Sequence, residues 1–170
     1  NYYVYCNYPL GPLPSSGLYN GATQLPSDAG TSATIGGNGA SLLDLSGCAS
    51  PGYALAYTFL IEVDSAGGYT FDLGVTGTDA AAQLLINGTS PSLSVAAGNT
   101  KTLTEALTPG RYLIEVNFAT NDDASAGLTA YVTDQTTSSV VPIFQCGQMP
   151  TTNPRPPPSP PAFRAMSPPP

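Results

Sequence analysis

Histidine is absent from this sequence of 170 residues, and so is tryptophan. Without histidine the chain lacks the usual general base near neutral pH, the Ser–His and Cys–His nucleophile pairs and the commonest transition-metal ligand. Hydrolysis by a pair of carboxylates would still be open to it. However, Glu62 and Glu115 alternate with the apolar residues of their predicted strands, so we expect both to face solvent. We therefore expect no enzyme, no catalytic residue and no cofactor.

Charge is also scarce, since charged residues make up 9% of the chain against about a quarter in an average soluble protein. All 11 acidic residues precede position 150, where Lys101 and Arg111 are the only basic residues. No basic patch can neutralise phosphates, which excludes nucleic acid as a partner. No apolar run of about 18 residues occurs, which excludes a membrane-spanning helix. A surface rich in Ser, Thr, Asn, Gln and Gly remains, and we expect sugars or partners to cover part of it.

The three cysteines, Cys6, Cys48 and Cys146, lack the close spacing of zinc ribbons and redox motifs. Cys6 and Cys146 flank the terminal strands, and the ends of a domain often lie close together. We therefore predict a Cys6–Cys146 disulfide, with Cys6–Cys48 and Cys48–Cys146 as the alternatives. The acidic run Asn121-Asp122-Asp123 lacks EF-hand spacing and is ordinary turn chemistry, so we expect no metal site.

Alternation of apolar and polar residues dominates the first 149 residues. It is clearest over residues 55–63, 69–75 and 112–118, and it predicts strands with one buried face. The turn at 64–68 predicts a hairpin between the first two runs, and Asn87-Gly88 predicts a second hairpin. Turn signals recur about every ten residues, which is typical of a β-sandwich. The fold class is therefore all-β, an antiparallel, jelly-roll-like sandwich over residues 1–149.

Proline dominates the composition from position 150 onward. Proline lacks the backbone donor that helices and sheet ladders need, so residues 150–170 are expected to form polyproline II. At about 3.1 Å per residue such a tail spans roughly 60 Å. We interpret it as a connector that lies outside the sandwich domain.

Residues 55–133 resemble a group of extracellular β-sandwich modules. The resemblance is carried by residues 66–73 (AGGYTFDL), 82–88 (AQLLING) and 107–116 (LTPGRYLIEV). The modules in question are PA14-type domains, family-6-like carbohydrate-binding jelly rolls and bacterial pre-peptidase C-terminal domains. Calcium-binding adhesins among the PA14 domains carry adjacent aspartates just after the first of these strands. Here that place holds Thr78-Asp79-Ala80, with one aspartate only.

The C-terminal tail is similar to the Ser-Pro runs of hydroxyproline-rich cell-wall and flagellar-surface glycoproteins of green algae and plants. That resemblance implies hydroxylated, O-glycosylated prolines at Pro156, Pro157, Pro158, Pro160, Pro161, Pro168, Pro169 and Pro170. Asn87-Gly88-Thr89 is in addition an acceptor for N-glycosylation, and a turn tip is accessible to the transferase.

Four tyrosines cluster at positions 2–8, and aromatic side chains both anchor protein interfaces and stack on sugars. We expect Tyr2, Tyr3, Tyr5 and Phe163 to form an interface, with the tail held against another copy of the chain. The predicted function is that of a structural subunit in an extracellular or cell-surface glycoprotein assembly such as a filament. The alternative is a carbohydrate-binding or adhesin module tethered by its tail. The expected partners are copies of the same chain and covalent glycans.

Overall fold

A computed structural model describes residues 1–22, 25–32, 35–37, 42, 48, 52–88, 92–121 and 125–145 of the chain. Strands make up most of this part. In chain order the elements are β1 Tyr2–Cys6, α1 Gly17–Gly21, β2 Asp28–Gly30, β3 Gly36–Gly37, β4 Tyr53–Val63, β5 Gly67–Thr76, β6 Ala80–Ile86, β7 Leu93–Ala96, β8 Asn99–Leu107, β9 Gly110–Thr120, β10 Gly127–Asp134, β11 Ser139–Val140 and β12 Ile143–Gln145. No helix in the described part is long and apolar enough to cross a membrane.

Two antiparallel sheets pack face to face. The larger has seven described strands in the order β2-β1-β4-β9-β6-β7, with β12 also paired to β4. The smaller has five described strands in the order β11-β10-β5-β8, with β3 also paired to β10. This arrangement confirms the all-β sandwich. The predicted C-terminal tail lies outside the described residues.

The chain passes repeatedly from one sheet to the other. β4 pairs with β1, β9 and β12, whereas β5 pairs with β8 and β10. The predicted hairpin between residues 55–63 and 69–75 is therefore wrong. Each of the two strands carries a continuous apolar face, and those faces bury each other only if the strands lie in opposite sheets.

The second predicted hairpin, formed by β6 and β7, is present, with Leu84 opposite Leu93. Its connection runs over residues 87–92 and is longer than the two-residue turn that Asn87-Gly88 indicates. Both turn residues nevertheless have positive φ, 53° at Asn87 and 68° at Gly88, as that dipeptide favours.

The main core lies between the two sheets, and alternate residues of the strands supply it. Phe118, Phe71, Leu55, Ile61 and Ile114 are all fully buried there. These are positions that the alternation in the sequence predicts to face inward, so strand periodicity accounts for this part of the core.

A second, smaller apolar cluster covers part of the outer face of the seven-stranded sheet. Residues 8–22, including the short helix α1, lie across β4 and β9. Leu18 and Tyr5 are buried in this cluster together with Ala54, Ala56 and Ala119. We call residues 8–22 the N-terminal flap. The alternation of apolar and polar residues in the sequence does not indicate that this segment covers the sheet.

The disulfide joins Cys6 to Cys48, with their Cα atoms 5.4 Å apart. The predicted Cys6–Cys146 pairing is therefore wrong, and Cys146 itself lies outside the described residues. Cys6 pairs with Tyr53 on β4, whereas Gln145 pairs with Phe59. Six residues of extended strand, roughly 20 Å, separate those two positions. The two ends of the domain share one edge of β4, but Cys6 lies at the far end of β1.

Candidate functional site

A cleft opens at one end of the sandwich, between the β4–β5 turn and the segment that joins β10 to β12. Its volume is about 270 Å³. Three carboxylates, several hydroxyl groups and an apolar wall surround it. The lining residues are Glu62, Asp64, Ser65, Tyr69, Asp134, Thr137, Ser139, Val140, Val141 and Pro142.

Local hydrogen bonds hold the β10–β11 loop in place. The Asp134 carboxylate accepts a hydrogen bond of 2.8 Å from the backbone N–H of Thr136. Gln135 donates from its backbone to Gly68 and from its side chain to the Thr70 hydroxyl. Such Asx-type closure is the usual reason for Asp at this place in a turn. One wall of the cleft is therefore preorganised.

The carboxylates of the cleft are available as hydrogen-bond acceptors. The backbone hydrogen bond from Thr136 lowers the pKa of Asp134, so this group is ionised at neutral pH. A guanidinium nitrogen of Arg111 lies 3.8 Å from a carboxylate oxygen of Glu62. This ion pair lies at the surface, where such pairs contribute little to stability. Burial raises the pKa of Tyr69, whose hydroxyl donates to the Ser65 carbonyl across the β4–β5 turn.

The opposite end of the sandwich carries the place where calcium-binding PA14 adhesins have adjacent aspartates. Here the Asp79 carbonyl accepts hydrogen bonds from the Asn121 backbone (3.0 Å) and the Thr120 hydroxyl (2.9 Å). The next residue, Ala80, is buried in the core. Among the described residues, no cluster of three His, Cys, Asp or Glu side chains could hold a metal ion. Asp122 and Asp123 lie outside the described residues.

Glu115 is buried, so the prediction that it faces solvent is wrong. Its strand does point it away from the main core, but the N-terminal flap covers that outer face. Its carboxylate accepts a hydrogen bond of 3.0 Å from the Tyr19 backbone, and the neighbouring Asn117 accepts one of 3.1 Å from Leu18. Gly17 has φ +80°, and a Cβ there would overlap the Glu115 carboxylate. Glycine at this position therefore permits the close approach.

Burial raises the pKa of Glu115, although hydrogen bonds from Tyr19, Asn117 and Leu18 oppose that effect. A carboxyl group whose pKa is higher in the folded than in the unfolded chain stabilises the fold fully below its unfolded pKa. That contribution is lost as the pH rises through the folded pKa. Glu115→Gln keeps an oxygen for Tyr19 and removes the charge. We expect this variant to gain stability relative to the original chain as the pH is raised from about 4.5 to 7.

Urea unfolding of both proteins over this pH series measures the difference in free energy directly. Glu105→Gln is a matched control, because Glu105 is exposed on the edge strand β8. A difference between the Glu115→Gln variant and the original chain that does not change with pH would contradict the inferred burial of an ionisable carboxyl group.

The tyrosines predicted to form an interface differ in exposure. Tyr2 points into the main core and its ring lies 6.5 Å from that of Tyr57. Tyr5 is buried under the flap, and desolvation raises its pKa to about 12. Tyr5 therefore presents no surface to a partner. Tyr3 is half-buried on the outer face and stacks on Tyr19, with ring centres 4.7 Å apart.

Asn87, the predicted glycosylation site, is exposed at the end of β6. Its side-chain oxygen accepts a hydrogen bond of 2.9 Å from the Leu113 backbone. Phe163 and the predicted hydroxyproline positions lie outside the described residues. The cleft was not predicted from the sequence, because two segments that are far apart in the chain build it and each has the composition of an ordinary turn.

The fold is similar to those of solved PA14 domains. The PA14 domain of an antifreeze protein (MpAFP) matches with a TM-score of 0.59 and 14% identity, over 89% of this chain and 92% of that domain. A PA14 sugar-binding domain from an RTX adhesin matches with a TM-score of 0.53 and 19% identity, over 84% of this chain and 92% of that domain. A β-glucosidase from Kluyveromyces marxianus, solved with glucose, matches with a TM-score of 0.50 and 15% identity, over 78% of this chain and 15% of the enzyme.

At this identity the likeness establishes a PA14-like sandwich fold. No family model matches the sequence, and no curated protein matches it either.

Proposed function

We propose that this chain is an extracellular, non-enzymatic binding module that holds a carbohydrate in the cleft between the β4–β5 turn and the β10–β12 segment. The observation that carries the proposal is the composition of that cleft. Carboxylates accept hydrogen bonds and donate none when ionised, which suits the many hydroxyl donors of a sugar. Val140 is 64% exposed at the rim, and with Pro142 it offers an apolar surface to the C–H groups of a sugar ring.

Two further observations support this function. The fold is like that of a PA14 domain described as sugar-binding, over nearly the whole length of both chains. The Cys6–Cys48 disulfide fits an oxidising compartment, where secreted modules reside. The volume of about 270 Å³ is slightly below that of pockets for drug-sized ligands. It therefore suits a terminal sugar better than a long polymer.

The test begins with a glycan array and continues with calorimetric titration of the glycan that binds best. Asp64 and Asp134 lie on opposite sides of the cleft, so the double substitution Asp64→Asn and Asp134→Asn replaces an acceptor on each side. The amide introduced by Asp134→Asn keeps the oxygen that closes the loop. We expect at least a tenfold loss of affinity, about 1.4 kcal/mol or more, since hydrogen bonds to charged groups contribute about 1.5–3 kcal/mol each.

Asp28→Asn is the matched control. Asp28 on β2 pairs with Val4 on β1, and Val4 pairs with Leu55 on β4. Leu55 is eight residues from Val63, which lies at the cleft end of β4. Asp28 is therefore roughly 25 Å from the cleft. An array on which the original chain binds no glycan would refute the proposed function. Equal affinity of the double variant would refute the cleft as its site.

The predicted role as a structural subunit of an extracellular assembly stays a prediction. The same holds for glycosylation at Asn87 and for hydroxylation of the tail prolines.

A further inference from the structure

An apolar strip lies on the outer face of the seven-stranded sheet, beside the part that the N-terminal flap covers. Phe144, Leu60 and Leu113 are direct cross-strand neighbours on β12, β4 and β9. The stacked rings of Tyr3 and Tyr19 belong to the same outer face. The Tyr19 backbone donates to Glu115, which is two residues from Leu113 on β9, and Tyr3 pairs with Ala56, four residues from Leu60 on β4. We call these five residues the outer apolar strip.

The side chains of the strip are more exposed than large apolar side chains usually are. Tyr19 is 53% exposed and Leu113 is 40% exposed, while Tyr3, Leu60 and Phe144 are half-buried. Adjoining apolar side chains on a surface usually mark a contact with another segment or molecule. Scattered exposed residues would need no such explanation.

The remaining 25 residues of the chain begin at the edge of this strip. Gln145 at the end of β12 pairs with Phe59. The next position along that edge of β4 is Thr58, which exchanges two backbone hydrogen bonds of 2.9 Å with Asn1. Asn1 therefore occupies the position on this edge next to Gln145. The Tyr3 phenol interacts with Tyr19, Thr58 and Asn1, so the two rings lie near the end of β12.

The composition of residues 146–170 suits such a surface. Proline rings in polyproline II dock on exposed aromatic rings, and they lose little entropy because φ is already fixed. Arg155 and Arg164 are the only charged residues of this segment, whereas the preceding part of the chain is strongly acidic. The long-range field therefore attracts the segment to its own domain. Because the segment is covalently linked to the domain beside the strip, its effective concentration at the strip is high.

We propose that residues 146–170 dock on the outer apolar strip of the same molecule, with prolines packed against Tyr3 and Tyr19. The segment thereby covers the apolar surface that the flap leaves open. This inference concerns a surface separate from the carbohydrate cleft and does not depend on it.

The chain contains two methionines, Met149 and Met166, and both lie in this segment. Methyl groups labelled with ¹³C on methionine therefore report on the segment alone within the full-length chain. Met149 is four residues beyond Gln145, so it can lie at most roughly 14 Å from that residue, whose neighbour Phe144 belongs to the strip. We expect its methyl resonance to be shifted by ring currents and to show nuclear Overhauser contacts with tyrosine ring protons.

Tyr19→Ser and Leu113→Ser each remove part of the strip, and we expect both to return the methyl resonances to disordered-chain positions. Tyr131→Ser is the matched control, because Tyr131 is 42% exposed on the other sheet. It should leave the resonances unchanged. Backbone amide spectra of each variant verify that the sandwich is intact.

Methyl resonances at disordered-chain positions in the original protein would overturn the proposal. So would shifts that persist in both the Tyr19→Ser and the Leu113→Ser variants. Shifts that disappear on dilution would mean that the segment docks on a neighbouring copy, which would also overturn docking within one molecule.

Discussion

Removal of the Cys6–Cys48 disulfide is expected to lower the free energy of unfolding by about 4 kcal/mol. The bond closes a loop with a sequence separation of 42 residues, and the chain-entropy model assigns about this much stabilisation to such a loop. The effect is large for a domain with an ordinary stability of about 5–15 kcal/mol. Urea unfolding of a Cys6→Ser, Cys48→Ser double variant measures it.

Cys146→Ser is the control for this experiment, since Cys146 takes no part in the Cys6–Cys48 bond. We expect its unfolding midpoint to match that of the original chain. Peptide mapping without reduction identifies the pairing independently. If Cys146→Ser destabilised the protein as strongly as the double variant, the pairing would instead involve Cys146.

Leu18→Ala is expected to destabilise the protein by about 2–5 kcal/mol, the usual cost of removing a buried leucine side chain. Leu18 belongs to the flap and is fully buried against the outer face of the sheet. Its carbonyl also accepts a hydrogen bond of 3.1 Å from the Tyr5 hydroxyl, and its backbone N–H donates to Asn117. The substitution therefore removes the apolar contact that holds the flap over these buried polar groups.

Leu25→Ala makes the same chemical change at a side chain that is 89% exposed, and we expect it to change stability by less than about 0.5 kcal/mol. Hydrogen exchange provides a second measurement. The amides of Leu18 and Tyr19 should exchange faster in the Leu18→Ala variant and at the original rate in the control. Equal stability of the two variants would show that the flap contributes nothing to the fold.

The sequence predicted the strands well and their neighbours poorly, for a physical reason. Alternation reports which side of a strand is buried, so the inward positions of β4, β5 and β9 were correctly assigned from residues such as Phe71 and Phe118. Alternation does not report the partner that buries them. Consecutive strands were therefore paired as hairpins, although the turn at 64–66 connects opposite sheets.

Alternation also does not report what covers the polar face of a strand. It indicates that Glu115 lies on the side of β9 away from the main core, and the prediction that this side faces solvent does not follow from it. The flap covers this side, with Leu18 packed on the sheet and Tyr19 bonded to Glu115. Nothing local to Glu115 signals the cover, since the covering residues lie almost a hundred positions earlier in the chain.

The candidate cleft likewise depends on contacts between segments that are far apart in the chain. The residues from Glu62 to Tyr69 and those from Asp134 to Pro142 belong to two segments that the pairing of β5 with β10 brings together. Each segment resembles an ordinary solvated turn when it is considered alone. The resemblance to extracellular sandwich modules predicted the architecture, while the position of the cleft depended on contacts that only the folded chain defines.

The shared edge of β4 has a consequence for the order of events during synthesis. β1, from the start of the described chain, and β12, from its end, lie one after the other along that edge, and β9 lies along the other. A ribosome delivers β4 early, but the strand acquires its complete set of neighbours only after residue 145 has emerged. Until then one of the most apolar segments of the chain has an unpaired edge, and such edges are prone to aggregation. The completed sandwich is thus a post-translational product, and its nascent form is the stage at which a chaperone would be most useful.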